Sequence, residues 1–202
     1  MNIKEVKDET LKLIERYSVS GNTVALTYNG QSDYLLRMIG LINDAQMVIA
    51  TAAKKIAAEY KVTKTEGDED TWVEYSMPVD FYQRGNGGSI FLDNKLLRNG
   101  EEVKWMSASK FVVRGDLAGS IYAPYYRFPV KITTVTPEST ELDNSKDTHI
   151  LIAYYVAAML VQQDNPYLAA TLYNNYETKL SRLEEGLEVS IDSIGDVYEI
   201  WG

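Results

Sequence analysis

The chain of 202 residues has no cysteine. Disulfides, thiolate zinc sites, iron–sulfur clusters and cysteine nucleophiles are therefore excluded. It has one histidine, His149, so a single copy holds no multi-histidine metal site. Long apolar runs are also missing. The longest, Ile150 to Val161, spans twelve residues, where a membrane helix needs about 18 or more. Met1-Asn2-Ile3-Lys4-Glu5 carries charge where a secretory signal needs an apolar stretch. These features predict a protein made and kept in a cytoplasm. Excess positive charge is absent too, since 20 bases face 29 acids for a net of −9. That balance opposes unaided binding to nucleic acid phosphates or anionic membranes.

What is present describes an ordinary folded protein. Hydrophobic residues make up 45% and charged residues 24%. A chain of this length buries roughly 70% of its unfolded surface, enough for a substantial core. The negative charge is concentrated. Residues 1–140 hold 18 acids and 17 bases, whereas residues 141–202 hold 11 acids and only Lys146, Lys179 and Arg182 as bases. The last third is either a solvated acidic face or a surface that meets a basic partner.

The patterning predicts an α+β fold: a helical bundle from the N- and C-terminal segments with an inserted antiparallel β domain. Residues 3–17 read as a short amphipathic helix with Val6, Leu13, Ile14 and Tyr17 on its apolar positions. Ser20-Gly21-Asn22 and Tyr28-Asn29-Gly30 break it. A long helix is expected from Asp33 to Tyr60, where Leu35, Met38, Ile42, Ala45, Ile49, Ala52 and Ile56 recur every three or four residues. From Lys61 the period changes to two, as in Val73-Glu74-Tyr75-Ser76-Met77. Asn99-Gly100, between Lys95–Arg98 and Val103–Met106, is a strong hairpin signal. Phe111–Val113, Ser120–Tyr122 and Val130–Val135 are further strand candidates, for five to eight strands in all.

Helices are expected again from Asp147, a candidate cap for Thr148–Gln163. Asn165-Pro166 pairs an N-cap with proline in the first helical position. The helix it starts should carry Ala169, Tyr173, Tyr176, Leu180 and Leu183 on one face and end at Gly186. The expected division is 1–60 and 141–185 as the bundle, 61–140 as the β domain, and 186–202 as an acidic tail.

Few residues suggest chemistry. Glu66-Gly67-Asp68-Glu69-Asp70 lacks the ligand spacing of a calcium loop and reads as a solvated turn. Arg84-Gly85-Asn86-Gly87-Gly88 precedes a strand-like segment, whereas a phosphate cradle opens a helix. Arg114-Gly115-Asp116 reads as turn chemistry. His149 has no nucleophile motif such as Gly-x-Ser-x-Gly to serve, so it reads as a capping or packing residue. No catalytic, cofactor or metal residues are assigned, and no enzyme activity is expected. The fifteen tyrosines say more. Tyr154, Tyr155, Tyr167, Tyr173 and Tyr176 cluster on the last two helices, and tyrosine suits half-wet interfaces as well as cores.

Four segments, in order, resemble the head–tail adaptor, or connector, proteins of tailed bacteriophages. The first is Asp33-Tyr34-Leu35-Leu36-Arg37-Met38 with Leu41-Ile42-Asn43-Asp44-Ala45-Gln46. The second is Met77-Pro78-Val79-Asp80-Phe81-Tyr82. The third runs from Gly119-Ser120-Ile121-Tyr122 through Tyr125-Tyr126 to Pro129 and Lys131-Ile132-Thr133. The last joins Ile152–Leu160 to Asp164-Asn165-Pro166-Tyr167-Leu168-Ala169 and Tyr173-Asn174-Asn175-Tyr176-Glu177.

The resemblance implies a virion structural protein without catalysis, assembled in the bacterial host's cytoplasm. Such adaptors form a ring, usually twelvefold, beneath the portal and join it to neck and tail proteins. Phage DNA passes through without specific binding. In related adaptors a terminal segment docks onto the portal. The expected interaction residues here are Tyr154, Tyr173, Tyr198, Ile200 and Trp201. No cofactor and no membrane contact are implied. The alternative is a tail, baseplate or host-surface module that binds a glycan or protein through aromatics such as Trp72 and Trp105.

Overall fold

The computed structural model describes residues 1–16 and 31–195. Among these are four α-helices and eight strands, an α+β architecture with antiparallel sheets. The chain divides into two compact units, Met1–Lys54 with Pro129–Gly202, and Lys55–Phe128.

The first unit is helical. It contains α1 (Ile3–Arg16), α2 (Gln31–Val48) with a π-helical turn at Ile49–Ala53, α3 (His149–Val161) and α4 (Pro166–Gly195). Asn2 and Glu5 open α1 reciprocally. The Asn2 backbone N–H donates to Glu5 Oε2 at 2.9 Å, and the Glu5 N–H donates to Asn2 Oδ1 at 2.8 Å, the logic of a capping box. The sequence HILIAYYVAAMLV makes α3 apolar on nearly every side, and nine of its residues are buried. A helix of that kind needs cover all round, and α1, α2 and α4 each pack against it. Ile3, Val6, Met38, Ile42, Ala45, Ile49, Val156, Leu160, Leu172, Tyr176 and Leu180 join in one core. At the start of α4, Asn165 Oδ1 accepts from the Leu168 N–H at 3.1 Å, so the Asn-Pro start works as its chemistry predicts.

The second unit holds two sheets. In one, β1 (Ile56–Lys64) pairs along its whole length with β8 (Gly119–Arg127). The other edge of β8 is shared. Its first half pairs with β4 (Phe91–Leu92), itself paired with β5 (Lys95–Leu96), and its second half pairs with β3 (Phe81–Arg84). Pro124, which has no N–H to donate, sits where one partner gives way to the other. Its carbonyl accepts from the Gly85 N–H at 3.0 Å. A Cβ on Gly85 would lie 2.9 Å from the Pro124 carbonyl carbon, so this approach requires glycine. The second sheet orders β2 (Trp72–Ser76), β7 (Lys110–Arg114) and β6 (Val103–Ser107). Phe111 and Val113 from this sheet and Ile121, Ala123 and Tyr125 from the other share one core.

Several expectations are corrected. The helix expected to reach Tyr60 stops at the π-helical turn, and Lys54 is extended (φ −130°, ψ 97°). Ile56 opens β1 and is half-buried, because β8 supplies a full-length partner that outcompetes continued helix. Leu35 and Ala52, on the same expected stripe, are exposed. The Asn99-Gly100 turn does not join β5 to β6 as a two-stranded hairpin, because those strands belong to different sheets. A tight hairpin forms instead at β4–β5, turned by Asp93 and Asn94, both at positive φ (48° and 67°), as a type I′ turn requires.

No strand forms over Val130–Val135. The Asn43 amide bonds both the N–H and the carbonyl of Ile132, each at 2.8 Å, taking the place of a strand neighbour. Asp147 caps nothing. It lies in a 3₁₀ turn, Lys146–Thr148, and its carboxylate pairs with Lys54 Nζ at 2.6 Å, which holds its pKa below the usual value. Gly186 does not end α4, which continues to Gly195. Glycine inside a helix costs only about 1 kcal/mol relative to alanine.

Tyr34–Ala53 is long and apolar enough to cross a membrane by length and composition. A third of that window is buried within the protein.

Candidate interaction surfaces

The two tyrosines expected on helical interfaces occupy different settings. Tyr154, on α3, is half-buried, with Lys179 Nζ of α4 5.5 Å from its ring centre. Tyr173, on α4, is 38% exposed. Its ring lies 5.7 Å from that of Tyr176, which is fully buried and meets Tyr155 edge-on at 5.4 Å. A hydrogen bond with the Glu177 carboxylate raises the Tyr173 pKa, and burial raises that of Tyr155. Both remain protonated phenols at neutral pH. Tyr198, Ile200 and Trp201 lie outside the described residues.

Tyr173 closes one end of a groove of about 360 Å³ between α3 and α4. Ala158, Met159 and Gln162 form one wall, and Pro166, Ala169 and Ala170 the other. The alanines keep the two helices' surfaces low, and no lining side chain is charged. Sequence reasoning picked out the tyrosine and missed the rest, because alanines on two helices meet only through the packing of α3 on α4. Tyr167, nearly two turns before Tyr173 along α4, is 82% exposed. A second apolar surface lies on α2, where Leu36 is 66% exposed and Leu35, Met47 and Val48 are partly so. In the sequence Leu35 lies on the expected apolar stripe of this helix, and Leu36 and Val48 widen it. The structure leaves them uncovered within this chain.

Elsewhere, aromatic faces are already occupied. Trp105 donates its indole N–H to the Gly88 carbonyl at 2.8 Å, carries the Arg84 guanidinium 4.0 Å from its ring centre, and packs against Phe111. Arg84 in turn donates to the carbonyls of Ala108 and Ser107. The Arg84–Gly88 segment is therefore a structural clamp. Lys104 Nζ lies 4.1 Å from the centre of the Trp72 ring. Residues 66–70 are exposed, as a solvated turn should be.

His149 is buried, and its Nε2 hydrogen-bonds the Asn144 carbonyl at 2.7 Å. Its Nδ1 meets the Met1 amino group. Burial is the main cause that lowers its pKa, so the neutral ring is favoured. This histidine ties Met1, just before α1, to the entry of α3. Among the described residues no group of three or more His, Asp or Glu side chains is placed to hold a metal ion.

No known protein family's sequence profile matches the chain, and no curated protein matches it significantly.

Proposed function

We propose that this chain is a non-catalytic structural protein of a tailed-phage or prophage virion. It is a head–tail adaptor that forms a ring beneath the portal and joins it to the neck and tail. The observation that carries this reading is the pair of uncovered apolar surfaces on the helical unit, the α3–α4 groove and the outer row of α2. Two different patches on one molecule are what a head-to-tail contact uses, and such contacts close into rings. The segments that resemble adaptors support it as well. They fall on α2, on α3 and α4, at the entry to β3, and on β8, the strand that holds its sheet together. The negative balance suits a channel wall along which DNA slides without sticking.

The glycan-binding alternative loses support from the tryptophans. A sugar-stacking site needs a free indole face, and Arg84 and Lys104 lie over Trp105 and Trp72.

The test is to mix purified cognate portal with the full-length protein and follow co-elution. Each lateral contact is small, so the ring closes on the portal template and the isolated protein is not expected to be ring-shaped. Co-elution at micromolar concentration is the expected result. Failure to bind at that concentration would overturn the adaptor reading.

A further inference from the structure

We infer that the α3–α4 groove of one copy receives the Ile200–Trp201 segment of a neighbouring copy. The inference rests on the ring reading above and adds the contact that links successive subunits.

The groove is apolar, uncharged and unfilled, and its volume of about 360 Å³ falls in the range of pockets that enclose whole apolar groups, about 300–1,000 Å³. The chain carries a matching pair of side chains. Past Arg182 the sequence has no base, five acids, and then Tyr198-Glu199-Ile200-Trp201. An aromatic beside a branched aliphatic residue in an acidic segment is the composition of a docking anchor. The groove lies along the first turns of α4, at Pro166, Ala169 and Ala170. The positive end of that helix's dipole favours Asp196 and Glu199 nearby.

Reach decides which copy supplies the anchor. Tyr173 is the groove residue nearest the far end of α4, and it lies 22 residues before Gly195. At about 1.5 Å per residue, that is about 33 Å of helix. Trp201 is six residues past Gly195. Even fully extended, at about 3.5 Å per residue, those six span about 21 Å. The segment therefore falls short of its own groove by more than a side chain's length. A neighbour has no such constraint. The donor lies beyond the C-terminal end of α4 in one copy, and the acceptor lies at the N-terminal end of α4 in the next. Repeating that contact gives a head-to-tail series that closes when the rotation permits.

The absence of cysteine makes the test clean. Ala170 and Gln162 are exposed groove residues, so a thiol at either leaves the core intact. Full-length Ala170→Cys and full-length Gly202→Cys are mixed at high micromolar concentration, and again on the cognate portal. A short bis-maleimide then joins neighbouring thiols. The expected product is a heterodimer linked between positions 170 and 202, identified by peptide mass spectrometry. Gln162→Cys, on the opposite wall, repeats it should Ala170→Cys fold poorly. Adding Trp201→Ala to the Gly202→Cys chain should lower the yield about tenfold or more, as for a lost aromatic anchor.

Three outcomes would overturn the inference. One is a link within a single chain when Ala170→Cys and Gly202→Cys are placed in the same chain. Another is a yield no higher than with Lys12→Cys on the exposed face of α1. The third is linkage of position 170 to Leu36→Cys in place of position 202, which would put a neighbour's α2 in the groove. Portal binding without the 170–202 link overturns this inference alone. The link without portal binding overturns the adaptor reading and leaves this contact standing.

Discussion

The helical unit and the β unit differ in how often a cation covers a ring: among the described residues four such pairs fall in the β unit and one, Lys179 over Tyr154, in the helical unit. In the β unit cations lie over rings, as Lys55 does over Tyr126, Lys61 over Tyr122, Arg84 over Trp105 and Lys104 over Trp72. In the helical unit Tyr155, Tyr176 and Tyr173 pack on one another, and Leu36, Tyr167 and the α3–α4 groove stay uncovered. Charge differs as well. Ten bases face eleven acids in Lys55–Phe128, and ten face eighteen in the rest of the chain. The β unit also leaves single apolar side chains exposed, Val79, Leu96 and Met106 among them. The helical unit carries the uncovered α3–α4 groove and most of the chain's net negative charge.

Loss of the central ring of the β core should have the largest effect. Phe111 is fully buried between Tyr60, Tyr75 and Trp105. Phe111→Ala is expected to cost about 3–5 kcal/mol. Hydrogen exchange should rise in β2, β6 and β7. A rise confined to the helices would break the division into two cores. Leu160→Ala is the mirror experiment, expected to cost about 2–5 kcal/mol, with faster exchange in α1 to α4. A melting temperature equal to the parent's would show that α3 is not the centre of the helical unit.

A smaller effect should come from pH. His149 has a folded pKa below its ordinary 6.5, mainly through burial. The Asn144 carbonyl, the Met1 amino group, Glu141 and Asp147 also act on it. A group with a lowered folded pKa takes up its proton more readily when unfolded. Its stabilising contribution is present above pH 6.5 and is lost as pH falls from there through the folded pKa. Melting temperature should therefore decline between pH 7 and the onset of carboxylate titration, and His149→Gln should flatten that decline. An unchanged slope in the variant would remove His149 as the cause. The smallest effect is expected at the Lys54–Asp147 pair, which is partly exposed on both sides. Lys54→Met should cost about 0.2–1 kcal/mol, and a loss above that range by chemical denaturation would mark the junction after α2 as more than a surface contact.

What was legible in the sequence follows from how local each cause is. Met38, Ile42, Ala45 and Ile49 reveal their burial by spacing alone, because one helix sets that spacing. Asn165-Pro166 reveals a helix start because the capping bond spans three residues. Ile56 continues the same spacing and still enters a strand. Its partner, Arg127, is distant in sequence, and no local pattern reports it. Asn99-Gly100 has the stronger turn chemistry, yet Asp93-Asn94 makes a tight hairpin. The pairing of β4 on β8 fixes which residues must turn. Asp147 had the right type for a cap and took Lys54 instead, a choice only the fold presents. Of the candidate site, tyrosine chemistry pointed to Tyr173. The alanine walls beside it carry no signal of their own until two helices meet.

The register that pairs Ile56 with Arg127 makes the two ends of the β unit direct neighbours across one ladder. Seen from the helical chain, seventy-odd residues leave and return through a gap no wider than that between adjacent strands, about 5 Å. That is the geometry of a detachable cassette. The chain therefore enters and leaves the β unit at one place, and a single antiparallel ladder holds its two ends together.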